Sequence, residues 1–258
     1  MSIDACAGNV QQGDPDRFLS AMIAPLEQRG RLMVLYAFNL EVARAPWVTQ
    51  EPIIAEMRLQ FWLDVLNDIA AGKPGRAHEV AGPLADLIAS HDVPTTPLVD
   101  LVEARRFDIY REPHKDTLAF ERYIEATAGN LMWAAALALG AEAQHEQVIR
   151  DYAYGAGLTA LFKAVPALER AGRAPLVDGR VEAVRSLAED GLRRMDKARS
   201  SSVSLPRSVL PALWAGWQSR AVLNQARRDP MAVADGRLGQ SELRRRGGLL
   251  IRSLTGRV

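Results

Sequence analysis

Asp64 and Asp68 stand four residues apart in a stretch that reads as helix, so both carboxylates fall on one face. Paired carboxylate oxygens at that spacing could hold Mg²⁺, an ion that prefers oxygen ligands. The same spacing equally describes the solvated face of an ordinary amphipathic helix. His78, His91, His114 and His145 lie far apart, with no HExxH-type metal spacing. Neither a GxSxG elbow nor a phosphate-cradling glycine loop occurs. Gly155 and Gly157 suggest close helix packing. Cys6 is the sole cysteine, so neither an internal disulfide nor a cysteine metal cluster is available. It falls in an N-terminal stretch expected to be frayed, which argues against a nucleophile. The stretch Arg237–Val258 carries Arg237, Arg244, Arg245, Arg246, Arg252 and Arg257 against one acid, Glu242. Leu243, Leu249, Leu250, Ile251 and Leu254 are interleaved with them. A basic amphipathic helix of this kind could lie on an anionic membrane. It could equally close the fold by packing its leucines on a core.

Helices must position these groups. Asp14-Pro15 reads as an N-cap with proline at the first helical position. Helices are expected over 15–23, 25–45, 52–71, 83–91, 97–110, 117–140, 144–171, 180–200, 207–228 and 240–255. In the second, Leu32, Leu35, Tyr36 and Leu40 recur at helical spacing, and Pro46 stops it. Gly72-Lys73-Pro74-Gly75 is a turn. No strand-type alternation and no fixed-period repeat is visible. The apolar run of about 131–141 is shorter than the ~20 residues a membrane span needs, and reads as a buried helix. The expected organisation is a flexible N-terminus over 1–13 and one all-α domain over 14–258.

Composition agrees with that class. The 258 residues are 48% hydrophobic and 24% charged, as in a globular chain. Thirty-two basic residues against 31 acidic ones give a net charge of +1, which argues against a nucleic-acid partner. Residues 1–14 do not read as a signal peptide. A cytoplasmic location is expected, with contact at the inner face of the membrane through the C-terminal helix as an option.

Three segments together resemble the squalene/phytoene synthase family. The first is Leu35–Arg44 (LYAFNLEVAR), followed by Glu51-Pro52 and Met57–Trp62 (MRLQFW). The second is Gly157–Lys163 (GLTALFK), continuing to Arg170–Arg173. Between them, Ala126–Asn130 (ATAGN) resembles the family's small-residue break in a central helix. The resemblance implies an all-α isoprenoid-synthase fold around a central cavity. Active members join two prenyl diphosphates head to head. Carboxylates of two aspartate-rich motifs hold Mg²⁺, which neutralises the departing diphosphate.

This chain departs from the family at those motifs. Aligned on Tyr36-Ala37, the first motif's arginine position is Leu40, and its two aspartate positions are Ala43 and Trp47. The glutamine, asparagine and two aspartate positions of the second motif read Gly157, Ala160, Ala164 and Leu168. Lys163 keeps the basic character just before the second motif, and Tyr36 and Gly129 match the family. Glu41, Glu51 and Glu56 lie near the first motif but not at its helical positions. Diphosphate in such a cavity would be a poorly compensated buried charge. The resemblance therefore implies that Mg²⁺-dependent prenyl transfer is lost and that no metal or other cofactor is used. Candidate cavity residues are Tyr36, Asn39, Arg58, Gly129, Asn130 and Lys163, each with a structural hydrogen-bonding role as the alternative.

FNLEVA, the RLQFW block and the closing Arg245–Leu250 (RRGGLL) are similar to a divergent branch of the family. That branch includes a mitochondrial assembly factor of respiratory complex I. It implies a binding or assembly protein, with a protein partner, an isoprenoid or lipid in the cavity, and peripheral membrane contact. The alternative is an active prenyltransferase whose metal sits on displaced carboxylates, Asp64 and Asp68.

Overall fold

The computed structural model describes residues 3–49 and 51–255, and every regular element there is helical. Arg257 lies outside the described residues. The helices are α1 (Ile3–Gly13), α2 (Pro15–Met22), α3 (Leu26–Arg44), α4 (Pro52–Ala70) and α5 (Ala81–His91). Next come α6 (Thr96–Ala104), α7 (Phe107–Tyr110), α8 (Thr117–Ile124), a π turn over Glu125–Gly129, and α9 (Asn130–Ala138). The chain closes with α10 (Glu146–Arg170), α11 (Val181–Ser201), α12 (Leu210–Leu213), α13 (Ser219–Arg228), α14 (Met231–Ala234) and α15 (Glu242–Thr255).

Local chemistry sets the starts and stops. The Asp14 carboxylate accepts the Arg17 backbone N–H at 3.0 Å, and Pro15 opens α2. Asp116 caps α8 in the same way, accepting from the Ala119 N–H at 2.7 Å. Gly72 and Gly172 adopt φ of 69° and 75° just past α4 and α10, a left-handed turn that a side chain would strain.

Burial sorts the helices into layers. Every residue of α3 from Leu32 to Leu40 is buried, and α9 is buried at all positions but Leu137. A helix that is apolar all round belongs at the centre. Helix α10 joins them there. Helix α11 buries one stripe, including Val184, Ala188, Leu192 and Met195, which is the 3.6-residue period of an outer helix. Gly155 and Gly191 bring α10 and α11 together. A Cβ on Gly155 would lie 2.4 Å from Met195 Cγ and 3.1 Å from the Gly191 carbonyl oxygen.

Several boundaries differ from the sequence reading. The N-terminus is a helix, with Cys6 and Val10 fully buried against α3. Ile3, Cys6, Ala7 and Val10 form an i, i+3, i+4, i+7 stripe whose small members hide its periodicity. The helix expected over 97–110 breaks at Arg105-Arg106. The one expected over 117–140 carries the π turn at 125–129, where the small-residue break lies. The helix expected over 207–228 is two helices joined by a 3₁₀ turn, and α14 was not anticipated.

Candidate ligand cavity

A cavity of about 480 Å³ opens between α3, the α7–α8 region, the π turn, α10 and the segment after α10. Its size suits one small amphiphile, since ligand pockets run from roughly 300 to 1,000 Å³. Leu40, Ala43 and Trp47 from α3 and its C-terminal loop face Gly157, Ala160, Ala164 and Leu168 from α10 across it. All seven positions singled out by alignment with the two motifs thus line one space. None of these side chains carries an oxygen ligand. Mg²⁺ takes oxygen ligands in near-octahedral geometry, so this donor set does not fit the family's metal.

The polar end comes from elsewhere. Arg105, which follows α6, donates to Asp108 at 3.1 Å and to the Tyr123 hydroxyl at 2.8 Å. Tyr123 donates in turn to Asp108, at 2.9 Å to Oδ2. Burial pushes the Tyr123 pKa up, which keeps its proton in place as a donor. Arg173, from the segment after α10, lies over the Trp47 ring. Burial lowers the Arg173 pKa, with Asp108 opposing and Arg111 adding to the shift. His114, buried on the same wall, stacks on Phe107 with ring centroids 4.2 Å apart, and burial lowers its pKa.

A smaller cavity of about 220 Å³ adjoins the first, and both are lined by Asp14, Arg17, Ala128, Leu131, Gly157 and Ala160. Tyr36 lines the smaller one, and its buried hydroxyl has no hydrogen-bond partner among the described residues. Burial pushes that hydroxyl up to about 12. Lys163 also lines it and pairs with Asp16 at 3.2 Å. Asp16 accepts as well from Gln218 at 2.7 Å and from Arg245 at 2.6 Å, which ties α15 to α2.

Of the other sequence candidates, Asn39 lines the larger cavity. Asn130 does not; its side-chain oxygen accepts from Arg150 at 3.0 Å, a structural role. Gly129 sits in the π turn, where a Cβ would lie 3.1 Å from Glu125 Oε2 and 3.3 Å from Arg150 Nη1. Arg58 is exposed on α4 and lines neither cavity. Asp64 accepts from Gln60 at 2.8 Å, and Asp68 is held by Lys73 at 2.9 Å and Arg76 at 2.6 Å. Both aspartates lie outside the cavities because α4 turns that face outward, toward its own C-terminal turn. Cys6 is buried, and burial pushes its thiol up to about 11. Sequence reasoning missed Arg17, Arg105, Asp108 and Tyr123, which share no motif; Arg173 ends the second family-like segment but lies past its aspartate positions.

Comparison with known proteins places this geometry in context. A family model described as squalene/phytoene synthase matches residues 10–178. The human NADH dehydrogenase (ubiquinone) complex I, assembly factor 6, is 25% identical over 162 residues, covering 62% of this chain and 48% of its own. The chain thus spans about half the length of the curated relatives it matches. Among solved structures, a dehydrosqualene synthase crystallised with a ligand superposes with a TM-score of 0.83 at 16% identity, covering 96% of this chain and 94% of its own. A squalene synthase from Alicyclobacillus acidocaldarius gives 0.70 at 15% identity, covering 92% and 95%. At those identities the likeness is one of fold.

Proposed function

The chain belongs to the squalene/phytoene synthase family, and from that premise we propose that it is a member that has lost Mg²⁺-dependent prenyl transfer and works as a binding or assembly protein at a membrane surface. One observation carries this reading. Ala43, Trp47, Ala164 and Leu168 occupy the cavity wall where the family's carboxylates are expected, and they offer no oxygen to a metal. A diphosphate leaving there would build up its negative charge without the neutralisation that Mg²⁺ supplies. The acids that do line the larger cavity include Asp14 and Asp108, which are engaged by Arg17 at 2.8 Å and by Arg105.

The partner side of the reading draws on relatives named for assembling complex I. A protein partner is proposed on that basis, with complex I as the specific case. Membrane contact is proposed through α15. Leu243, Leu250, Ile251 and Leu254 are 60–84% exposed on it, flanked by exposed Arg244 and Arg246. That pattern suits a helix lying in an anionic interface. Among the described residues no helix is long and apolar enough to cross a membrane. The inner face of the cytoplasmic membrane is the proposed place, with no cofactor and no nucleic acid involved.

The test is direct. Folded protein is incubated with farnesyl and geranylgeranyl diphosphate, with and without Mg²⁺, and diphosphate and hydrocarbon are measured. Release no greater than in a protein-free blank is expected in both arms. Mg²⁺-dependent turnover would overturn the reading.

A further inference from the structure

Helix α4 presents an exposed apolar face over its first two turns. Ala55 and Leu59 are buried there, while Ile53 and Met57 are 65% and 66% exposed and Ile54 is 38% exposed. Residues at i, i+1 and i+4 lie on adjoining rows of a helix, so the three side chains form one patch. A contiguous apolar patch on a soluble fold marks an interaction surface, whereas single exposed apolar residues do not.

The charges beside the patch fall into two kinds. Glu56 is engaged within the chain, by Arg106 and by the Tyr110 hydroxyl, which donates to it at 3.0 Å. Glu51 and Arg58 are exposed, and neither makes an ion pair among the described residues. Glu51 is the N-cap of α4, and Arg58 follows it by seven residues. Seven residues are close to two full turns, so both charges stand on one edge of the exposed face, about 10 Å apart, with Ile54 between them.

An acid and a base so placed are complementary to the same pair in a second copy that runs antiparallel. A two-fold axis midway between them sets Glu51 of each copy against Arg58 of the other. It also interleaves Ile54 and Met57 of both copies in one row. A parallel pairing would set Glu51 against Glu51 and Arg58 against Arg58, which repel. An anionic bilayer would meet an unpaired acid at the edge of the patch. We propose that two copies of this chain associate through α4, antiparallel about a two-fold axis, with Ile54 and Met57 at the centre and two Glu51–Arg58 ion pairs at the rim. Association through this face is independent of whether the cavity is catalytic. The patch is small, so the dimer is expected to be reversible and to depend on concentration.

Sedimentation velocity of the full chain over a concentration series tests it. The wild-type chain is expected to pass from monomer to dimer as concentration rises. Glu51→Arg and Arg58→Glu each set like charges across the axis, and each alone is expected to weaken dimerisation by at least about tenfold. Mixed in equal amounts, these two variants are expected to associate with each other as tightly as the wild-type chain does with itself, because each supplies the charges the other lacks. Ile54→Glu with Met57→Glu is expected to abolish association while the folded CD spectrum stays the same. A wild-type chain that remains monomeric at every concentration overturns the inference, whatever else the face then binds. A dimer that survives all of these substitutions overturns it too, as does a mixture that associates no better than either variant alone.

Discussion

The guanidinium carbon of Arg173 lies 4.2 Å from the centroid of the Trp47 ring. The indole stands at a position where the family alignment places an aspartate, so an aromatic face meets a cation where a carboxylate would meet a metal. The facing wall departs from the family pattern as well, at Ala164 and Leu168. Putting one carboxylate back is therefore insufficient. Trp47→Asp is expected to give no Mg²⁺-dependent diphosphate release, because Ala43, Ala164 and Leu168 remain without oxygens. Trp47→Ala is expected to lower stability by about 0.5–1 kcal/mol, the worth of a partly exposed cation–π contact. A urea midpoint shifted at constant slope measures it.

Gly157 tests how tightly α10 sits on the π turn. A Cβ there would lie 2.5 Å from the Ala128 Cβ and 3.0 Å from Ile124 Cγ2. Ala128 Cβ is fixed to backbone and cannot swing aside. Gly157→Ala is expected to destabilise by about 1–3 kcal/mol despite the better helix propensity of alanine, as overpacking does. Denaturant unfolding reads the loss.

The Cys6 thiol offers a local probe of the first helix. Its folded pKa is raised to about 11 by burial, with Glu79 adding to the shift. A raised folded value means that the stability contribution is fully present below the unfolded pKa and lost as pH rises toward 11. Native protein near pH 8 is expected to label with a thiol reagent far more slowly than urea-unfolded protein. Equal rates would show that α1 is detached in solution.

Asp16 gives an acid-side counterpart. Burial raises its pKa, but Lys163, Arg245 and Gln218 outweigh burial, so the net shift is downward. A depressed value contributes stability above the unfolded pKa of about 4, and that contribution is lost as pH falls through the folded value. The stability gap between the wild-type chain and Asp16→Asn is expected to be largest near pH 7 and to close below pH ~4. Thermal unfolding across that range follows it. Because Arg245 is one of the partners, protease cleavage within α15 should accelerate in the same variant.

Helix α15 itself is tested on vesicles. Leu250→Glu with Leu254→Glu changes two exposed side chains and leaves buried Leu249 in place. Sedimentation with anionic vesicles is expected to fall in the variant while the folded CD spectrum stays the same. Unchanged sedimentation would move the membrane contact elsewhere.

The cavity wall was legible through the family resemblance, because each motif is one short continuous stretch of chain. Alignment of the two motifs singles out Ala43 and Ala164, and the structure brings them to one space. The polar end was not legible. Arg105, Tyr123 and Arg173 are spread over nearly seventy residues, and only the packing of α8 against the segments after α6 and α10 brings them together. Asp64 and Asp68 misled because spacing alone does not say which way a helix face points. Helix α4 buries Leu59, Trp62, Leu63 and Leu66 and thereby turns both aspartates away from the cavity. Helix α1 escaped because cysteine and alanine make a faint apolar stripe. The fold buries Cys6 completely and Ala7 in part.

The π turn at 125–129 carries a consequence for how this chain tolerates length changes. Tyr123, Thr127 and Leu131 all line the larger cavity at intervals of four residues. A regular α-helix drifts about 40° over each such interval, and the wider winding takes up that drift. Removing Ala126 would spare every lining side chain. It would also swing Tyr123 by about 100° relative to Leu131 and carry its hydroxyl off Arg105 and Asp108. This wall is specified by a residue tally as much as by residue identity. A one-residue deletion of the kind that surface loops absorb would here undo the polar end of the cavity without touching an arginine.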